Sequence, residues 1–258
     1  MFASASRRSI LTAAAAIGLG LGSFAGISAQ DSTPEPGKPC TEMLGVGKAG
    51  DACVNILHLS PDGPAVDIWV NDAKAVENLE FGKTTGYVAL PAGDHNVKVT
   101  PHGEGADKAV IDADVTLVDG QAYEVAAVGK VAEIKPAIFP VDLAALESMD
   151  EAAIRVIHTS PDAPAVDIAV KGGDVLIKDL AFPDGSDYLM VPAASYDLEV
   201  RPTGTTDVAL DLPGVELEAG KVYSVYAIGM LGDKTLTVLP VISEAPSDEM
   251  EAEATPAS

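Results

Sequence analysis

The stretch HLSPDGPAVDIWV, from His58 to Val70, recurs in the same chain as HTSPDAPAVDIAV, from His158 to Val170. In each copy, a hydrophobic segment ending in histidine precedes a Ser-Pro-Asp turn, and a second hydrophobic segment follows. Proline fixes the backbone of such a turn, while serine and aspartate side chains bond back to the chain. The repeated stretch therefore predicts the same strand–turn–strand corner at two places in the fold.

The similarity continues beyond this stretch, which makes the whole chain a tandem repeat. LVDGQAYEVAAVGKV around Tyr123 corresponds to LEAGKVYSVYAIGML around Tyr223. We assign residues 54–141 to repeat 1 and residues 154–242 to repeat 2, joined by a short linker at residues 142–153.

Within each repeat the hydrophobic residues alternate, as in Val54, Ile56 and His58, and turn signals such as PDG, PAGD and VDG separate the segments. This pattern predicts an all-β fold of two tandem immunoglobulin-like or transthyretin-like antiparallel β-sandwich domains. We expect about seven strands per repeat, each burying one face. Prolines near the end of each repeat predict that the last strand is an edge strand. Tyr123 and Tyr223, early in a late strand, are expected to anchor a corner through their hydroxyls.

The two ends of the chain are predicted to lie outside the sandwiches. Residues 1–29 carry Arg7 and Arg8, then an uncharged apolar run and small residues, which is typical of a secretory signal peptide. The two arginines resemble the twin-arginine type, so that route and the ordinary secretory route both stay open. Residues 243–258 are acidic and contain no aromatic residue, which indicates a disordered tail.

The chain has two cysteines, Cys40 and Cys53, which enclose a Gly-rich loop in the lead-in segment at residues 30–53. Outside the cell, two cysteines this close usually form a disulfide. Free thiols or a metal pair are the alternatives, although two cysteines alone make a poor metal site. We therefore expect a Cys40–Cys53 disulfide.

The formal net charge is −23, and it becomes more negative when the two arginines of the signal peptide are removed. Such a surface repels nucleic-acid phosphates and anionic membranes. We therefore expect no nucleic-acid partner and no membrane span in the mature chain, which is predicted to be secreted.

The repeated stretch, together with the LPAG turn and the late Tyr-x-Val strand, resembles the bacterial extracellular family known as domain of unknown function 4397. The resemblance covers both repeats. It implies a secreted or surface-attached sandwich module and carries no established activity or cofactor.

The histidines of the repeated stretch are predicted to point inward, where each must satisfy its ring nitrogens with hydrogen bonds. The simplest way to satisfy the ring nitrogens is for each histidine to bond an aspartate or a backbone group of the turn. This interpretation makes the motif a structural corner. Its residues are His58, Ser60, Asp62, Asp67, His158, Ser160, Asp162 and Asp167.

The same side chains suggest two alternative functions. His58 with Asp62 and Asp67 could offer one nitrogen and two carboxylates to a divalent metal ion, although one hairpin rarely supplies a closed site. Ser60 lies too close to His58 in sequence, and next to a proline, for a catalytic triad, whose members converge from separate segments. We therefore predict no enzyme activity, no cofactor and no metal.

Trp69 occurs only in repeat 1, because Ala169 replaces it in repeat 2. It is either an exposed aromatic that contacts a sugar or a partner protein, or a residue packed on the other sheet face. His95 and His102 lie near turns and are expected to be solvated. The sequence thus predicts a non-enzymatic surface or interaction module, whose partner is an envelope protein or a polysaccharide. The alternative is a metal- or carbohydrate-binding carrier that uses the His-Asp corner or Trp69.

Overall fold

The computed structural model describes residues 38–144 and 150–244, most of which lie in β-strands. Each repeat contains eight strands, one more than the alternation predicts. The predicted all-β class is confirmed. The predicted signal peptide and most of the predicted acidic tail lie outside the described residues.

The elements follow the chain in a simple order. Repeat 1 comprises β1 (Asp51–Leu59), β2 (Val66–Val70), β3 (Ala73–Leu79), β4 (Lys83–Pro91), β5 (Gly93–Pro101), β6 (Ile111–Leu117), β7 (Ala122–Val128) and β8 (Lys135–Val141). Repeat 2 comprises β9 (Glu151–His158), β10 (Val166–Val170), β11 (Val175–Leu180), β12 (Leu189–Pro192), β13 (Ala194–Pro202), β14 (Leu210–Leu217), β15 (Val222–Ile228) and β16 (Thr237–Ser243). The helical elements are α1 (Cys40–Met43) and two 3₁₀ turns, Ala106–Lys108 and Val131–Glu133.

Each repeat forms two four-stranded sheets. In repeat 1 the inner sheet has the order β4-β1-β7-β8 and the outer sheet β3-β2-β5-β6, and repeat 2 has the matching sheets β12-β9-β15-β16 and β11-β10-β13-β14. The pairs are antiparallel except for β1 with β7 and β9 with β15, which are parallel. The predicted sandwiches are confirmed, with one parallel pair in each inner sheet. The proline-containing strands β8 and β16 are edge strands, as predicted.

The core of each repeat lies between its outer and inner sheets. In repeat 1, Val54 and Ile56 of β1 pack with Val66 and Ile68 of β2, and all four are buried. Their period of two places every second residue on the core face, since successive side chains in a strand point to opposite sides.

The inner sheets are buried on both faces, so the expectation that each strand buries one face is wrong for β1, β7, β9 and β15. Leu57 and Leu59 project from the second face of β1 and pack with Ile157, Tyr226 and Ile228 of repeat 2. A strand covered on both sides must be nearly continuous in hydrophobic residues, as these four are. The two inner sheets therefore pack against each other, and the described residues of the two repeats form four layers.

A buried ion pair crosses this interface between the repeats. Arg155 Nη2 of β9 lies 2.9 Å from Glu124 Oε2 of β7, and the Glu124 side chain has 0% exposure. The hydroxyls of Tyr226 and Tyr87 also donate to Glu124, at 2.7 and 3.2 Å. The Arg155 guanidinium further donates to Ser224 Oγ at 2.9 Å and to the Pro140 carbonyl at 2.6 Å. These bonds satisfy the charges that burial would otherwise penalise.

The two late tyrosines anchor corners in both repeats, as predicted. The backbone N–H of Val118 donates to the Tyr123 hydroxyl at 3.2 Å, and that of Glu218 donates to the Tyr223 hydroxyl at 2.9 Å. Each bond fixes the turn that precedes β7 or β15, so the equivalent strands begin in the same place.

The predicted Cys40–Cys53 disulfide is confirmed, and it joins α1 to β1. Its surroundings were not foreseen: Cys40, Met43 and Cys53 pack with Ala153 and Val222 of repeat 2. The lead-in segment therefore covers one end of the seam between the repeats rather than repeat 1 alone. Among the described residues, no helix has the length and apolar character that a membrane crossing would require.

Candidate functional site

The repeated histidines are buried at the ends of β1 and β9, with 1% exposure each. Nε2 of His58 donates to the carbonyl of Pro64 at 2.8 Å, and Nε2 of His158 donates to that of Pro164 at 3.0 Å. A carbonyl can only accept, so each neutral ring carries its proton on Nε2. Each histidine therefore ties the end of one strand to the start of the next through a backbone group of the turn.

The second ring nitrogen distinguishes the two corners. In repeat 2, Nδ1 of His158 accepts the backbone N–H of Ser160 at 3.3 Å. In repeat 1, neither Nδ1 of His58 nor Oγ of Ser60 has a hydrogen-bond partner within residues 38–144 and 150–244. Burial lowers the pKa of both histidines below 6.5, although the bond to proline raises it in part. Both rings are thus held neutral at neutral pH.

Asp62 and Asp162 fasten the Ser-Pro-Asp turn to the loop that follows the late strand. Asp62 Oδ1 accepts the N–H of Val131 at 2.8 Å. Asp162 accepts the N–H groups of Leu231 and Gly232, at 2.8 and 2.9 Å. Asp162 also accepts the Ser160 hydroxyl at 3.4 Å. The turn aspartates therefore bond mainly to backbone donors, and neither of them bonds a motif histidine.

Asp67 lies at the centre of a polar cluster on the outer face of repeat 1. Its carboxylate accepts from Lys74 Nζ at 2.7 Å and from His102 Nδ1 at 2.8 Å. It also accepts the backbone N–H groups of Asn78 and Gly103, at 2.9 and 3.2 Å. Burial alone would raise the pKa of Asp67, but these bonds outweigh it and hold the pKa well below 3.8.

Asp167 has a simpler environment in repeat 2. It accepts the backbone N–H groups of Asp179 and Gly204, at 2.9 and 3.1 Å, and the hydroxyl of Thr203 at 3.2 Å. These bonds, led by that of Asp179, lower the pKa of Asp167. Asn78 of β3 and Asp179 of β11 both have positive φ angles, of 58° and 54°. Asp67 and Asp167 therefore hold the same irregular backbone conformation in the two repeats.

The side chains of the alternative metal site do not converge. His58 bonds Pro64, Asp62 bonds Val131, and Asp67 turns to the opposite face of β2. Within the described part of the chain, one group with metal-ligand spacing is found: atoms of Asp67, Glu77 and His102 lie within 4.8 Å of one another. The ammonium of Lys74 lies 2.7 Å from Asp67 and 3.4 Å from Glu77, so a protein cation already lies against both carboxylates.

The expectation that His95 is solvated is wrong. His95 has 8% exposure, and its Nε2 donates to the Pro91 carbonyl at 2.7 Å. At the matching place in repeat 2, the Tyr196 hydroxyl donates to the Pro192 carbonyl at 2.8 Å. Two different side chains thus close the same turn. His102 is partly exposed, with a 44% exposed side chain, because only one edge of its ring faces Asp67.

Trp69 is half-buried on the outer face of β2, next to the Asp67 cluster. Its Nε1–H donates to the buried Thr100 hydroxyl at 3.1 Å, and the Lys74 ammonium lies 5.1 Å from the ring centroid. The indole is therefore fixed in orientation and surrounded by charged groups. The sequence does not indicate Lys74 and Thr100 as neighbours of Trp69, because they reach it through cross-strand pairing, which no local pattern shows.

Fold and site together define a tandem sandwich module in which a buried histidine and an aspartate of each repeated motif bond to backbone groups. The chain belongs to the family described as Domain of unknown function (DUF4397), whose model matches residues 52–169 and 152–253. No curated protein matches the sequence significantly.

Three solved structures resemble parts of this fold. The TIE protein of Bacillus anthracis is 12% identical with a TM-score of 0.23; the match covers 70% of this chain and 34% of that protein, so this chain spans about a third of its length. A family 26 carbohydrate-binding module from Eubacterium rectale Amy13K, solved with maltoheptaose, is 13% identical with a TM-score of 0.24, covering 76% of this chain and 98% of the module. A proposed cell adhesion protein from Bacteroides ovatus is 9% identical with a TM-score of 0.23, covering 78% of this chain and 100% of that protein.

Proposed function

We propose that this protein is an extracellular, non-catalytic binding module that holds an envelope polysaccharide on the outer sheet of repeat 1, at Trp69. The observation that carries the proposal is the fixed, half-exposed indole beside a set of charged donors and acceptors. Sugars present apolar faces that stack on aromatic rings and hydroxyls that bond to polar side chains.

An extracellular location is supported by the disulfide and by the amino-terminal sequence. The Cys40–Cys53 bond requires an oxidising compartment to persist. The acidic surface, with a net charge of −23, suits a partner without phosphate groups, since phosphates would be repelled.

A non-catalytic role is supported by the bonding of the motif residues. Ser60 and Ser160 have 0% exposure, so a substrate cannot reach their hydroxyls without opening the corner. The histidines donate to proline carbonyls and the aspartates accept from backbone amides. The motif histidines and aspartates are therefore engaged in holding the backbone, and the motif serines are buried.

The polar surroundings of Trp69 favour a ligand with many hydroxyls. Lys74, whose side chain is 30% exposed, supplies donors, and Glu77, whose side chain is 65% exposed, supplies acceptors. Because hydrogen bonds already fix the indole and the Asp67 carboxylate, binding costs little side-chain entropy. Repeat 2 has Ala169 at the place of Trp69, so the proposal assigns the ligand to repeat 1 alone.

Trp69 is the only tryptophan of the chain, so its fluorescence reports directly on the proposed surface. We expect soluble envelope polysaccharide to change this fluorescence in a saturable way. Trp69→Ala is expected to weaken retention on envelope polysaccharide by about tenfold or more, as for a central aromatic contact. Leu176→Ala removes an exposed apolar side chain from repeat 2 and serves as the matched control, with no expected effect.

The assay also separates the two classes of partner. Retention on whole envelope that survives protease treatment but not polysaccharide digestion supports the proposal. Retention lost after protease treatment identifies a protein partner and overturns the carbohydrate assignment. Unchanged fluorescence together with undiminished retention of Trp69→Ala overturns the Trp69 surface itself.

A further inference from the structure

The interiors of the two sandwiches differ in a way that the repeated motif does not suggest. Repeat 2 contains a cavity of about 290 Å³ between its sheets, whereas the corresponding space in repeat 1 measures about 20 Å³. The cavity lies between β14 of the outer sheet and β15 and β16 of the inner sheet. Protein interiors are normally packed without voids of this size.

A β-bulge explains why the cavity exists in repeat 2. The register between β13 and β14 shifts by one residue between Tyr196 and Leu198, where Pro213 and Gly214 of β14 face the single residue Asp197 of β13. Gly214 has a φ of 66°, and its N–H donates to Asp197 Oδ1 at 2.8 Å. The matching pairing of β5 with β6 is uninterrupted. A bulge bends the strand that carries it, so β14 departs from the regular course that β6 follows in repeat 1.

The buried core is divided at the same place. In repeat 1 one continuous cluster joins the two sheets from end to end. In repeat 2 the core forms two clusters, one around Val156 and Val200 and one around Ile154 and Tyr223. Val225 contacts both clusters and is only partly buried, while its counterpart Val125 is buried.

The chemistry of the wall indicates which ligand the cavity would accept. Its lining is aliphatic apart from Tyr223 and Glu216, and Glu216 is the one charged group among the described lining residues. Ile242, at the edge strand, is 45% exposed, so the apolar wall continues to the surface there. A carboxylate at the rim of a strongly acidic protein disfavours anionic ligands such as fatty acids.

We propose that the cleft of repeat 2 binds an uncharged apolar small molecule, of the class of medium-chain lipids or isoprenoids with about ten carbon atoms. The size follows from comparison, since an apolar cavity of ~150 Å³ accepts benzene. The inference is independent of the Trp69 surface, because a different repeat and different residues carry it.

The test uses 1-octanol and octanoate, which share a chain and differ in head-group charge, titrated calorimetrically into the full-length mature protein. We expect saturable binding of one octanol per chain and at least about tenfold weaker binding of octanoate. Absence of saturable octanol binding overturns the proposal. Equal binding of both ligands overturns the assignment to uncharged ligands.

Two cavity-filling variants locate the site. Val225→Phe fills the centre of the cleft, and Val238→Phe fills it from the edge strand, so the second serves if the first does not fold. Both are expected to abolish octanol binding, and unchanged binding in either folded variant overturns the location. The matched control is Val125→Phe in repeat 1, which is expected to lower Tm by about 5 °C or more through overpacking. Val225→Phe is expected to leave Tm unchanged or raised, because it fills existing space.

Discussion

Repeats 1 and 2 share their corners and their sheet order, yet one interior is filled and the other is open. The histidine bonds, the aspartate bonds and the tyrosine corners recur at matching positions. The packing between the sheets differs because β14 carries a bulge that β6 lacks. The repeated motif therefore accompanies the same sheet order in both repeats, while the edge strands β6 and β14 determine how closely the two sheets pack.

The inner sheets differ in charge at matching positions. Glu124 of repeat 1 stands where repeat 2 has Ser224, and Arg155 of repeat 2 stands where repeat 1 has Asn55. Each repeat thus supplies one half of the buried pair. Two copies of repeat 1 packed face to face would bring two glutamates together, and two copies of repeat 2 would bring two arginines together. The Glu124–Arg155 pair therefore favours association of repeat 1 with repeat 2.

The largest expected effect comes from breaking this unlike pairing. Glu124→Ala leaves Arg155 buried without its counter-ion and is expected to lower the free energy of unfolding by about 3–5 kcal/mol. Ser224→Ala, at the matching position, is expected to cost about 1 kcal/mol through one lost hydrogen bond. Chemical denaturation of both variants measures the difference.

A double variant completes this comparison. Glu124→Leu with Arg155→Leu removes both charges and is expected to lie much closer to the parent in stability than Glu124→Ala does. If Glu124→Ala cost as little as Ser224→Ala, the ion pair would contribute nothing to holding the repeats together.

The disulfide is a second difference between the repeats, since Ala153 occupies the place of Cys53 in repeat 2. Cys40→Ser with Cys53→Ser is expected to lower the free energy of unfolding by roughly 3 kcal/mol, the value for closing a loop of this length. Denaturation of the parent with and without reductant checks the result independently. Equal denaturation midpoints for the oxidised and reduced protein would show that the disulfide does not contribute to stability, because the packing of α1 against the two repeats is sufficient.

The smallest expected effect concerns the pH dependence of the two histidine corners. Burial lowers both pKa values, so the unfolded chain binds protons at a pH where the folded chain does not. The stabilisation is therefore complete above pH 6.5 and is lost as the pH falls from there through the lowered pKa values. Unfolding midpoints measured between pH 7 and pH 5 should fall with acidity.

Glutamine variants separate the two corners, because glutamine can donate to the proline carbonyl and does not titrate. His158→Gln is expected to remove the larger share of the pH dependence, since protonation of His158 also breaks the bond from Ser160. His58→Gln is expected to remove the smaller share. A pH profile that neither variant alters would mean that other groups cause the acid sensitivity.

Much of the frame could be predicted from local sequence. Alternation, turn residues and the repeated stretch are local signals, and they predict the sandwiches, the edge strands and the corner tyrosines. The disulfide follows from spacing and compartment. The inward direction of His58 follows from its place on the same strand face as Val54 and Ile56.

The remaining features depend on contacts between distant segments. Both faces of β1 and β9 are buried, and the alternation of their residues, which predicts one buried face, does not show this. Nothing local in YEVAAV indicates that Glu124 meets Arg155, because the contact depends on how the repeats pack. The setting of Trp69 likewise depends on Lys74 of β3 and Thr100 of β5, which come from other strands. The prediction that His95 is solvated is wrong because a position near a turn does not show that the ring bonds the Pro91 carbonyl.

The back-to-back packing of the inner sheets fixes which way each outer sheet faces. Since neighbouring layers lie about 10 Å apart, the two outer faces are separated by roughly 30 Å and look in opposite directions. One flat surface cannot touch both at once. A ligand bound at the proposed Trp69 surface of repeat 1 would therefore lie on the opposite side of the four layers from the outer face of repeat 2.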